Sequence, residues 1–165
     1  MKITLKAFAV LLLLAQALAL TSCADNDKPC EDILYEICDD LKLPAGQTYL
    51  CGAEVGGEKY LSENTACTLY GEWAEELFGF AEDYALYISE FALPSEIAVF
   101  RCFSSKDAEG AERICLERAD ILNVLLRETN MSQKGGAVVI SKGKYVVMIL
   151  TDDLKVGEGA VRGAL

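Results

Sequence analysis

After Gly79 the chain repeats one pattern: two β-rich runs and then a capped, amphipathic segment, twice over. That order leaves few folds open. Asp83–Ser89 and Glu96–Phe103 are β-branched and aromatic runs joined by a Pro-containing connection, Phe91-Ala92-Leu93-Pro94-Ser95, which reads as a hairpin. Ser104 and Ser105 then supply a cap, and Asp107 and Glu109 favour the first turn of a helix running to about Glu128. One stripe of that helix carries Ala108, Ala111, Cys115, Ala119, Leu122 and Leu126. Gly135-Gly136 break the chain before Ala137–Ile140, and Lys142-Gly143 turn it into Tyr145–Leu150, a tighter hairpin. Thr151-Asp152-Asp153 cap a last helix from about Leu154 to Leu165. Glu109-Gly110-Ala111-Glu112-Arg113 aligns with Glu158-Gly159-Ala160-Val161-Arg162, with Lys106 and Lys155 in the same register. Two ββα units predict a two-layer α+β fold: one four-stranded antiparallel sheet with the helices packed on one face.

Two helices are expected ahead of this unit. Cys30, Ile33, Leu34, Ile37, Cys38 and Leu41 fall at helical spacing among five acids, and Pro44 and Gly46 end the run. Ser62 precedes Ala66, Leu69, Tyr70, Trp73, Leu77 and Phe78, again three and four apart, with Gly79 placed to cap the end. A Trp and Tyr stripe at this period reads as core rather than as a ligand groove. Between them, Gln47–Leu61 admits two short strands around Gly56-Gly57 or a single loop. Residues 30–165 therefore form one domain, large enough to bury a real core.

The first residues speak to location. Lys2 and Lys6 precede an apolar run from Ala7 to Leu20, broken only by Gln16 and followed by Thr21-Ser22-Cys23. Charge, short apolar core and small residues in that order make residues 1–22 a signal peptide, too short to remain as a spanning helix. Leu20-Thr21-Ser22-Cys23 resembles the lipobox at which bacterial prolipoproteins are acylated on cysteine and cut before it. Cys23 is then the lipid attachment site and residues 23–29 a short tether. Cleavage after Ala17-Leu18-Ala19 is the plainer alternative and leaves Cys23 a free thiol. Loss of residues 1–22 removes two of the 15 basic residues and none of the 26 acidic ones, so the mature charge falls to −13. Such a surface repels nucleic acid and anionic lipid. Attachment to a membrane must come from acyl chains, two of which suffice for stable anchoring.

From about Leu69 to Leu165 the chain resembles an uncharacterised family of exported bacterial lipoproteins, a domain of unknown function typical of Clostridia-type Gram-positive bacteria. The likeness rests on Leu69-Tyr70-Gly71, on Glu82-Asp83-Tyr84-Ala85 leading into Pro94–Phe100, on Arg118–Leu122, and on Gly143–Met148. It implies a fold and an extracytoplasmic location, and it carries no activity to transfer.

Candidate chemistry is sparse. Histidine is absent, which removes the commonest general base and zinc ligand. Glu90 and Glu96 flank the first hairpin's connection and are the one candidate carboxylate pair, though with no pocket nearby to separate their pKa values, solvated hairpin ends explain them better. Asp25, Asp27 and Glu36 mimic a calcium loop, but Cys30 stands where that loop needs glycine. Six cysteines accompany Cys23: Cys30, Cys38, Cys51, Cys67, Cys102 and Cys115. In an exported chain they are disulfides or buried thiols. Cys102 and Cys115 are the pair the pattern brings together, either as a bridge worth about 3 kcal/mol or as two thiols in contact. Arg101 shares a strand face with Ile97, Val99 and Phe103, which predicts a partly uncovered sheet face where a partner would sit. Asn130-Met131-Ser132 is a glycosylation sequon only in a eukaryotic host. No catalytic residue, metal or cofactor is assigned. The expectation is a lipid-anchored, extracytoplasmic binding or adaptor module of the cell envelope with an envelope protein or ligand as partner; the alternative is an envelope hydrolase using carboxylates or a cysteine nucleophile.

Overall fold

The computed structural model describes residues 28–90, 95–128 and 135–165. In chain order the elements are α1 (Cys30–Leu41), β1 (Gly46–Leu50), α2 (Glu63–Tyr70), a 3₁₀ turn (Gly71–Trp73) and α3 (Ala74–Phe80). There follow β2 (Ala81–Ser89), β3 (Glu96–Cys102), α4 (Ser105–Glu128), β4 (Gly136–Lys142), β5 (Tyr145–Thr151) and α5 (Leu154–Ala164). The fold is α+β with a 5-stranded antiparallel sheet in the order β1-β2-β3-β5-β4.

Both expected hairpins form. In the second, Lys142 pairs with Tyr145 across a two-residue turn whose first residue, Gly143, has φ 63, the left-handed value that glycine adopts freely. The expected helix starts also hold. The Ser104 hydroxyl accepts from the Asp107 amide at 3.1 Å, and Asp153 accepts from the Lys155 and Val156 amides.

The expected four-stranded, two-layer sheet is corrected in two respects. Of the stretch Gln47–Leu61, read as two short strands or one loop, only the first part is strand: Gly46–Leu50 adds to the edge of β2 as the fifth strand, with Gly46 opposite Ser89, and Lys59–Leu61 forms none. A side chain at Gly46 would meet the Tyr87 ring and the Ile88 carbonyl, which explains glycine there. Second, both faces of the sheet are covered. Ala98, Phe100, Cys102, Val146, Met148 and Leu150 pack under α2, α3 and α4. Ala85, Tyr87, Ile97, Val99, Val147 and Ile149 pack under α1 and α5.

Residue parity explains the split. β3 ends at Cys102, on the face of Ala98 and Phe100, so α4 leaves on that side. β5 ends at Thr151, two residues beyond Ile149, so α5 leaves on the other. The two ββα units thus repeat elements but not the face they cover. Ala111 and Ala160 are both buried, and Arg113 and Arg162 are both exposed, on opposite sides of the sheet. A sheet covered on both sides needs strands that are apolar throughout. Ile97, Ala98, Val99 and Phe100 are all 0% exposed, as are Val146, Val147, Met148 and Ile149.

One residue on the β4 edge of the sheet is capped by a side chain. Asn123 of α4 donates from Nδ2 to the Ala137 carbonyl at 3.0 Å and accepts the Ala137 amide on Oδ1 at 2.8 Å. The chain enters the domain at the opposite end of the sheet. Tyr145 donates its hydroxyl to the Lys28 carbonyl at 2.8 Å, Lys28 Nζ reaches the Ala164 carbonyl at 3.0 Å, and the Cys30 amide reaches Asp83 Oδ2 at 2.9 Å.

Candidate functional site

The sequence pattern reads Ser62–Phe78 as one helix, and the structure breaks it. Ser62 caps α2 by accepting the Thr65 amide at 3.1 Å, and the helix stops at Tyr70 because Gly71 adopts φ 61. Gly79 lies inside α3 rather than at its end. The break turns Trp73 away from the buried stripe of Ala66, Tyr70 and Leu77 and leaves it 37% exposed, so the expected core placement of this residue is corrected. Its indole faces a cation instead. The Arg113 guanidinium sits 5.2 Å from the ring centroid and is itself held by Glu76 at 3.0 Å and Glu117 at 3.5 Å.

Between this turn and α4 lies a groove of about 500 Å³, walled by Leu69, Trp73, Ile114 and Ile121 and floored by Tyr70 and Arg118. Ile121 is 55% exposed, and Val124, one turn on, is 44% exposed. These are large apolar side chains left in water by a helix whose other face is fully packed.

Under the groove lies a buried polar centre. Arg118 of α4 donates to Glu96 of β3 through both Nε, at 3.2 Å, and Nη2, at 2.7 Å. The side chains are 17% and 6% exposed, so this is a buried, two-bonded pair. Tyr70 lies beside it with a buried hydroxyl that has no hydrogen-bond partner among the described residues. Burial, and then the Glu96 charge, push the Tyr70 phenol well above its ordinary pKa. Its ring packs edge-on against Phe78 and Phe100, with centroids 5.9 and 6.2 Å away.

Glu96 is therefore engaged by a cation on the helix side, and Glu90 is exposed past the end of β2. The structure does not bring these two carboxylates together as an acid–base pair. Cys102 and Cys115 lie in the same buried cluster as free thiols, the second of the two arrangements expected for them. Burial raises Cys102 to about 11, with Asp107 adding, and Cys115 is raised further by burial and by Cys102 itself. Cys51 is exposed, and burial and then Asp83 raise its thiol above the usual value, the wrong direction for a nucleophile.

The partly uncovered face expected around Arg101 is also corrected: Ile97 and Val99 are 0% exposed beneath α1 and α5. Arg101 itself lies 3.5 Å from Glu82, and Phe103 stands 59% exposed beyond the strand end. Glu36 of the rejected calcium pattern pairs with Lys28. The signal peptide, Cys23, Asp25, Asp27 and the Asn130-Met131-Ser132 sequon lie outside the described residues. Among the described residues no group of three or more His, Cys, Asp or Glu is placed to hold a metal ion, and no helix is long and apolar enough to cross a membrane.

Two site residues escape a reading by sequence pattern. Trp73 fits the helical stripe, and only Gly71 signals the break. Arg118 is one charge among several on α4; the signal for it is Glu96, an acid opening the apolar run Ile97–Phe100 that must find a countercharge once buried. Fold and groove define an α+β module with an apolar cleft between the Gly71–Trp73 turn and α4. No family model, curated protein or solved structure matches the chain.

Proposed function

We propose that this protein is a lipoprotein of the cell envelope, exported by residues 1–22, acylated on Cys23 and acting as a binding module through the groove between the Gly71–Trp73 turn and α4. The observation that carries the binding reading is the exposure of Trp73 and Ile121, which line one cleft with Arg118, itself paired to the buried Glu96 beneath. Export and anchoring rest on the order of lysines, apolar run and Leu-Thr-Ser-Cys.

Anchoring and groove are compatible in space. Four residues lie between Cys23 and Lys28, and the five steps that join them reach about 17 Å when fully extended. Lys28 docks beside Tyr145, in the row where Arg101 pairs with it. Glu96 and Arg118 lie at the other end of β3, about 17 Å along the strand. A tether joining at Lys28 is therefore attached at the opposite end of β3 from the Glu96–Arg118 pair.

The test has two parts in intact cells of a Gram-positive host. Palmitate labelling of the wild type and of Cys23→Ser reads the anchor; equal labelling removes it. A photo-crosslinking residue at Ile121, compared with one at Val55, which is 79% exposed elsewhere, reads the groove. Capture of a defined envelope protein from position 121 alone is expected, and identical or absent products at both positions overturn the binding reading.

A further inference from the structure

The groove's walls and rim specify what fits it. Glu117, Ile121, Val124 and Glu128 are spaced four, three and four apart, so they form one line along α4 beside the groove. All four are exposed. Two apolar residues are thus bracketed by two acids about 16 Å apart at helical rise. Glu72 lines the same groove, and neither it nor Glu128 has an ion pair among the described residues. Of the cations nearby, Arg113 is shared between Glu76 and Glu117, and Arg118 is held by Glu96. An apolar trough inside an acidic rim, on a chain of net charge −11, is complementary to an apolar ligand carrying positive charge.

Other occupants meet repulsion. A second copy laid antiparallel on this face brings Glu117 against Glu128 of its mate, like charge on like. An anionic bilayer meets the same acids. An extended peptide adding as a strand needs an open sheet edge, whereas the groove is walled by helices whose amides are already bonded.

Building on the binding role above, we propose that the groove takes an amphipathic helix of a partner protein, apolar on the face laid against the exposed Trp73, Ile121 and Val124. It carries Lys or Arg residues three turns apart that meet Glu117 and Glu128. Trp73 is the chain's single tryptophan, so the groove contains its own fluorescent reporter.

The experiment uses the intact acylated protein in mild detergent and two synthetic helical peptides with the same leucine-rich face, one with lysines eleven residues apart and one with glutamates there. The lysine peptide is expected to shift Trp73 emission to the blue with saturable binding that weakens as salt rises, and the glutamate peptide is expected to bind at least about tenfold more weakly. Joint Glu117→Lys and Glu128→Lys replacement reverses that preference, and Ile121→Asp, at an exposed site, abolishes both. Equal binding of the two peptides, or a preference that survives the charge reversal, overturns the proposal. If the lysine peptide is silent while crosslinking from position 121 still captures an envelope protein, the partner chemistry is wrong and the binding module stands. If both are silent, both fall.

Discussion

Replacing Arg118 by methionine isolates what the buried pair does. Glu96 is 6% exposed in its side chain and accepts two bonds from Arg118, at 3.2 and 2.7 Å. At an effective dielectric near 20, charges about 4 Å apart attract by about 4 kcal/mol. Desolvation costs several kcal/mol per ion, so the pair as a whole is close to neutral for folding. Arg118→Met removes the attraction and leaves the cost at Glu96. The expected loss is about 3–5 kcal/mol, or on the order of 10 °C in thermal midpoint for a domain of this size. The double variant Glu96→Leu, Arg118→Met fills the same space with apolar atoms and is expected to recover that loss and match or exceed the wild type. Urea unfolding followed by circular dichroism measures all three proteins. A single variant that loses under 1 kcal/mol, or a double variant as weak as the single, refutes the reasoning, because Glu96 would then have water or another partner.

Tyr70→Phe removes a buried hydroxyl with no partner and is expected to stabilise by about 1 kcal/mol; a loss of that size in urea would reveal a hydrogen bond the geometry does not contain. Alkaline stability follows from the thiols. Burial raises Cys102 to about 11, and Cys38 to about 11 with Asp39 adding, so the unfolded chain releases these protons first. Stability is then fully present below about pH 8.5 and declines as pH rises toward 11. A denaturation midpoint that stays level across that window, or a decline just as steep in Cys102→Ala, would contradict the assignment. Asn123→Ala deprives the Ala137 amide and carbonyl of their partners at once and is expected to cost about 2 kcal/mol. Hydrogen exchange at the Ala137 amide is the direct readout, and an unchanged rate counts against it.

The long helix and both hairpins are legible because each is announced locally: Ser104 and Asp153 as caps, Lys142-Gly143 as a turn, β-branched runs between. What pattern alone gets wrong depends on partners far away in the chain. β1 is intermediate in exposure at every residue and carries no alternation; it is a strand because β2 offers an edge. The two-sided burial of the sheet is in fact written in Ile97–Phe100 and Val146–Leu150, which do not alternate at all, yet the alternation of Arg101 with Ile97 and Val99 draws attention to one face. The groove was harder to see. A helical stripe through Tyr70 and Trp73 has the period of a core, and a single glycine undoes it. Arg118 meets Glu96 only because α4 folds back across β3, 22 residues away.

Asn123 has one more consequence. A β-sheet with a bare rim is a template on which another polypeptide can crystallise strand by strand. On β4 the amide and carbonyl of Ala137 face that rim, and an asparagine from a helix occupies them both, mimicking the backbone of the next strand while offering nothing beyond itself. On that side one rung of the rim is already taken, and an incoming strand can pair with Ala137 only by displacing Asn123.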